Sequence, residues 1–156
     1  MRNVSVRPVR IVNEEAAEII WPFRRRYEEI EMADDEGSVF ILATHGPDTP
    51  QRCATPFYMD NMAAAMDCEA RVVFQIDGVL LMKKGVAQDL VAMEGGKRII
   101  DFIRDAKEAG VEFYVCSASL QLHDMGEDDL IEECNGVVGA AWMTEQALEA
   151  SAVLTY

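Results

Sequence analysis

The chain has 156 residues, half of them apolar, enough for one domain with a full hydrophobic core and too many for general disorder. Its formal net charge is −14, from 28 acidic and 14 basic residues, which repels phosphate backbones and argues against nucleic acid as a partner. No apolar run approaches the ~20 residues of a membrane-spanning helix, and Met1-Arg2-Asn3-Val4-Ser5 leads into no signal-peptide core, so a cytoplasmic protein without a membrane partner is expected.

Residues 1–37 differ from the rest and read as an N-terminal extension. Val4 to Val12 alternates loosely around Pro8. Glu14 to Ile20 reads as helix with Asn13 as N-cap, and Pro22 interrupts it. Phe23, Tyr27 and Ile30 recur at helical spacing around Arg24, Arg25 and Arg26. Such an amphipathic segment packs on its own domain or forms an oligomer or partner contact through Trp21 and Phe23.

From Ser38 to Tyr156 the pattern is strand, helix, strand, helix. Val39 to Thr44 is a near-continuous apolar run, as expected of a strand buried on both faces. After the loop from His45 to Pro50, a helix runs to about Asp67, with Thr55 as cap, Pro56 in its first turn, and Met59, Met62, Ala63 and Met66 as its core-facing stripe. Arg71 to Ile76 is the second strand. Asp77-Gly78 turns into a short helical turn closed by Gly85. Lys97 to Ala109 is a helix with Ile99, Ile100, Phe102, Ile103 and Ala106 inward and Gly110 ending it. Val111 to Cys116 is the third strand, Glu127 to Glu133 a helix, and Gly136 to Ala140 the fourth strand. Thr144 caps a helix through Ala150, and Ala152 to Thr155 is the fifth strand. The alternation predicts a three-layer α/β/α sandwich around a mainly parallel five-stranded sheet.

In a parallel sheet the strand carboxyl ends share one edge, and ligands bind there. That edge collects His45 and Cys53 after the first strand, Asp77 and Gly78 after the second, and Cys116 and Ser117 after the third. His123 follows in the third connection. Cys116 sits between a strand end and a helix start, where unpaired N–H groups favour a thiolate. The alternative is a small buried core residue. His45 and Asp77 also suit plain turn roles. Lys83 and Lys84 suit either solvated charges or stabilisers of a nearby anion. Cys68 and Cys134 precede strands and fall at the opposite edge, as structural residues. No CxxC, GxGxxG, Walker A or HExxH occurs, so no metal and no cofactor are expected.

Four stretches in order resemble the DsrE/DsrF/TusD family of sulfur-relay proteins. They are Ala43-Thr44-His45-Gly46 before a Met- and Ala-rich helix; Val72 through Gly85, including Gly78-Val79-Leu80-Leu81-Met82-Lys83-Lys84-Gly85; Ala109 through Cys116 with Asp128-Asp129-Leu130-Ile131 downstream; and Gly136 through Ala141 with Val153-Leu154-Thr155-Tyr156. The resemblance covers about 38–156, a DsrE-like α/β domain, and leaves the extension unexplained. It implies that Cys116 carries persulfide sulfur, that donor and acceptor proteins are the partners, and that the chain forms a homo-oligomer (dimer, trimer or hexamer). Related proteins often have two cysteines in this loop. Here Ser117 and Ser119 follow Cys116, so single-thiol transfer is implied instead of an internal disulfide. The rival readings are a non-catalytic binding or assembly subunit on the same fold and a Cys–His hydrolase.

Overall fold

A computed structural model describes residues 37–156. The helix and aromatic positions expected within residues 1–36 lie outside the described residues. Five strands form one sheet: β1 (Ser38–Ala43), β2 (Glu69–Phe74), β3 (Glu112–Cys116), β4 (Gly136–Val138) and β5 (Ala152–Thr155). Their order is β4-β3-β2-β1-β5, and every neighbouring pair is parallel. The helices are α1 (Pro50–Cys53), α2 (Thr55–Ala65), α3 (Val86–Asp89), α4 (Ile99–Glu108), α5 (Ser117–Leu122) and α6 (Ala140–Glu149). Two 3₁₀ segments, Ile76–Met82 and Glu127–Asp129, join them. The expected α/β/α sandwich is present.

Alternation along the strands sorts two faces. Ile41, Val72, Phe74, Phe113 and Val115 point to the side of α2 and α4 and are buried there. The ring of Phe57 is at the centre, with centroids 6.0 Å from Phe74, 5.9 Å from Phe113 and 6.4 Å from Phe102. From α4, Ile99, Ile100, Ile103 and Ala106 are buried, spaced as one helical face. Phe102 is only half-buried, because it lies at the margin against Tyr58. Gly110, at φ +94°, ends the helix in the left-handed conformation that suits glycine. The other sheet face carries α6, whose Trp142 touches Tyr114 (4.8 Å) and Phe40 (6.4 Å).

Several sequence expectations are corrected. The methionine stripe of α2 does not face the core. Met59 and Met66 are 38% and 39% exposed, because Phe57 takes the inward position and fixes the helix phase. Thr55 is the first helical residue, and no side chain caps the helix. The second strand ends two residues early, since Ile76 leaves extended geometry at φ +52°. The helix expected from Glu127 is one 3₁₀ turn. Ile131 N–H donates to Met82 O (2.9 Å) and Leu130 bridges Lys83, which draws the chain into an extended path. Like charges at Asp124, Glu127, Asp128, Asp129, Glu132 and Glu133 also oppose helix there. Thr144 is no cap: α6 starts four residues earlier, and the Thr144 hydroxyl donates to Ala140 O inside it.

The inward face of α2 carries one ionisable residue, Asp60. It is fully buried, and neither carboxylate oxygen has a hydrogen-bond partner among the described residues. Desolvation pushes its carboxyl up to about 8, against a small lowering by the Asn61 backbone N–H. A carboxyl raised above its unfolded value stabilises the fold most below the unfolded pKa, and that stability is lost as pH rises through the folded one. Relative to Asp60→Asn, the wild-type protein should therefore lose stability between about pH 4 and 8, by about 1.4 kcal/mol per pH unit at the steepest, and change little above that range. Denaturant melts of both proteins across this pH range would check it; parallel curves would refute a buried neutral Asp60.

Candidate functional site

The strand carboxyl ends are tied together by backbone packing. The loop after β1 lies directly on the turn after β2. A Cβ on Gly46 would sit 2.6 Å from Asp77 O, and one on Gly78 would overlap the Ala43 carbonyl oxygen. Glycine is required at both places because two backbones touch. Gly78 N–H donates to Thr44 O (3.1 Å) across the contact.

The turn is then held from β3's side. Ile76 N–H donates to Ser119 Oγ at 2.8 Å, and Ile76 O accepts from His123 Nε2 at 3.1 Å. The same Nε2 lies 3.1 Å from Asp77 Oδ1. Two residues of the Cys116 connection thus fix both backbone polar groups of one residue, Ile76, after β2. Ile76 is a β-branched residue at φ +52°, 49% exposed, in a conformation such residues avoid. No residue pattern around Ile76 signals this strain. Ser119 did carry a signal, one helical turn after Cys116.

Cys116 ends β3 and occupies the N-cap position of α5. It is 8% exposed. It points to the α6 side of the sheet, two residues on from Tyr114, and its register partner is Val138. Gly139 and the start of α6 follow Val138. That first turn has neither an acidic residue nor a side-chain cap. Two helix starts with free N–H groups therefore flank the end of β3.

The other thiols differ. Cys53 is 1% exposed under the β1 loop, with its thiol 3.2 Å from Gly46 O and within 3.8 Å of His45 O. Burial, and then Asp48, pushes it up to about 11. Burial and then Asp67 raise Cys68, and burial raises Cys134. These two lie just before β2 and β4, at the opposite edge.

The structure brings together His45, Asp77, Gly78, Ser119 and His123 around Cys116's connection, and Lys84 Nζ donates to Asp128 O (2.6 Å). The Lys83 backbone bridges Leu130. Ser117 is exposed at the first position of α5. His45 Nε2 lies 2.9 Å from Arg52 Nη1, so the nitrogen accepts and the ring proton sits on Nδ1. Both Nε2 atoms are therefore engaged away from the Cys116 thiol, and no Cys–His pair of the hydrolase type is assembled among the described residues. Arg52, a cation beside the site, was missed in the sequence because it lies seven residues beyond His45. A shallow hollow, with room for about one water, lies at the other sheet edge between Phe40, Arg71, Gln146 and Glu149, with no thiol on its wall.

Two outcomes follow from this geometry. Ile76→Gly should raise stability by up to about 1 kcal/mol, because glycine adopts positive φ freely and only about half of Ile76 is buried; a loss measured by thermal melting would refute the strain. At pH 7 Cys53 should alkylate about a hundredfold slower than an ordinary exposed thiol, in line with its raised value, and lose that resistance on unfolding. Peptide mapping of partially labelled protein reads this directly, and early labelling of Cys53 would overturn its role as a clasp of the loop.

The DsrE/DsrF-like family model matches residues 37–156. Among curated proteins, the uncharacterized protein MJ0760 of Methanocaldococcus jannaschii is 29% identical over 102 residues, 65% of this chain and 36% of that protein. The matched stretch thus spans about a third of that relative's length. The ychN protein of E. coli superposes with a TM-score of 0.66 at 15% identity, over 77% of this chain and 99% of that one. MTH1491, a protein of unknown function from Methanobacterium thermoautotrophicum, superposes with a TM-score of 0.56 at 19% identity, over the same shares. At those identities the two structures establish a common fold. Together with a family match across the whole described domain, they show that the chain belongs to the DsrE/DsrF-like family.

Proposed function

We propose that this protein is a sulfur carrier that holds persulfide sulfur on Cys116 and passes it to a partner protein. The family is broadly one of sulfur relay, and the observation that carries the finer reading is the position of Cys116, an N-cap thiol at the carboxyl edge of a parallel sheet beside two helix starts. The chemistry is thiol–disulfide exchange displaced by one sulfur. The Cys116 thiolate attacks the outer sulfur of a donor persulfide. The donor's S–S bond breaks, its thiolate leaves with the electron pair, and Cys116 becomes Cys–S–S⁻. An acceptor thiolate then attacks the outer sulfur and restores the Cys116 thiolate. Each transfer is redox-neutral and needs neither metal nor nucleotide. First-turn N–H groups supply hydrogen bonds to the anion, and Ser119 and His123 hold the adjoining turn in place. This reading takes donor and acceptor proteins as partners, the cytoplasm as the compartment and a homo-oligomer as the working form. Exposed Leu148 and Val153 support the last of these.

Incubation with polysulfide followed by intact mass measurement tests the reading. The wild-type protein should gain one sulfur on Cys116, and Cys116→Ser, nearly isosteric at an N-cap position, should fold normally and lose almost all loading. Loading of Cys116→Ser at the wild-type level would move the carrier role to another cysteine. If no cysteine loads from polysulfide or thiosulfate, the fold serves as a binding or assembly subunit instead.

A further inference from the structure

Ile76 combines features that the fold alone does not account for. It is β-branched, it sits at φ +52°, and it is 49% exposed. Glycine or asparagine would make that turn with less strain. Asp67 and Asp124, the other non-glycine residues at positive φ among those described, are of the short polar type that tolerates it. Packing gives Ile76 little in return, since half of it faces water. A strained conformation kept at a site points to a role outside the fold.

A single exposed apolar residue is ordinary, but Ile76 has a companion. Ser119, Leu122 and His123 are neighbours on one side of α5 and its end. Ser119 and His123 hold the Ile76 backbone, and Leu122 beside them is 64% exposed. The two side chains thus belong to one apolar patch. Leu122 lies six residues after Cys116, about 9 Å along a helix. An interface of ordinary size, about 800 Å² a side, spans both the patch and the thiol. Ser117 and Ala118, at the start of the same helix, are small and exposed.

The rim of the patch is acidic. Asp77 follows Ile76 and Asp124 follows His123. From Cys116 to Tyr156 the chain has eight carboxylates and no lysine or arginine. His123 is the basic group between the two aspartates, and its Nε2 is engaged by Ile76 O and Asp77 Oδ1. Arg52 is turned to His45.

We infer that Ile76 and Leu122 form the anchor on which the sulfur-exchanging partner protein docks, and that the partner presents an apolar side chain ringed by lysine or arginine. The inference rests on the carrier role of Cys116 for what the partner brings or takes. A second copy of the chain is a poorer occupant, because a two-fold contact here would set the acidic rim of each copy against the other's.

Fluorescence anisotropy with short thiol-free peptides and the intact chain tests the inference. One probe has a Leu-Phe centre with lysine and arginine flanks, a second has the same centre with glutamate flanks, and a third has a Ser-Gly centre with the basic flanks. The first should bind at least about tenfold more tightly than either of the others, and weaken as salt rises. Ile76→Asn/Leu122→Ser should cut its affinity about tenfold. Asparagine accepts the positive φ and both positions are exposed, so this variant should melt no lower than about the wild-type temperature. Asp124→Asn should cut affinity about threefold and flatten the salt dependence. Leu148→Ser, exposed at the far end of α6, should change nothing. Equal binding of the three peptides, or undiminished binding by the double variant, would overturn the inference. So would a dimer that the double variant dissolves, since a second copy would then hold the patch. Polysulfide loading of the wild-type protein separates the two readings. Sulfur on Cys116 without selective peptide binding removes the docking surface alone, and selective binding without loading removes the carrier role alone.

Discussion

The structure depends on one backbone contact, where the loop after β1 lies on the turn after β2 with no side chain between them. Gly46 and Gly78 make that approach possible. Everything functional is arranged from it. The contact sets where Asp77 and Ile76 sit, Ser119 and His123 close on those residues, and both belong to the connection that begins at Cys116. The connection that begins at Cys116 is therefore held to the β2 turn by one backbone contact and by two short side-chain hydrogen bonds, from Ser119 and His123.

The strain at Ile76 belongs to the same arrangement. A β-branched residue at positive φ costs about 1–2 kcal/mol, and two hydrogen bonds to the backbone of that residue return a similar amount. The turn keeps its shape only while Ser119 and His123 hold it, so the shape of the β2 edge is coupled to the conformation of the Cys116 connection. This coupling is local and involves groups already in contact, so no longer pathway is needed to explain it.

Much of this was legible in the sequence, and the parts that were not share a cause. The parallel sheet and the sharing of its carboxyl edge by His45, Asp77, Cys116 and His123 follow from strand–helix alternation, which is a topological rule. The phase of α2 did not follow, because Met59, Met62, Ala63 and Met66 form as good a helical stripe as Phe57, Asp60 and Ala63. Three aromatic rings from other elements decided between them. The Glu127 segment has a helix-like composition and loses to a tertiary hydrogen bond from Ile131 to Met82. Asp60 was passed over because a carboxylate in a helix is usually solvated. Lys84 looked suited to an anion at the site because the chain passes the sheet edge just before it, and its ammonium instead meets a carbonyl 44 residues further on.

The partner of Lys84 bears on the electrostatics of the proposed cargo. A persulfide is an anion, and the whole chain carries a formal net charge of −14. Charges farther away than a Debye length of about 8–10 Å are largely screened, so most of the acidic surface does not act on the thiol. What acts is near it: the first-turn N–H groups of α5 and α6, in two turns that contain no acidic residue. Fixed backbone dipoles do this at no cost in side-chain entropy and cannot be titrated away. The acidic exterior then acts at longer range and on a different object. It disfavours acidic partners during encounter and speeds basic ones, so in the proposed carrier role the choice of partner falls to the surface and the stability of the bound sulfur to the helix starts.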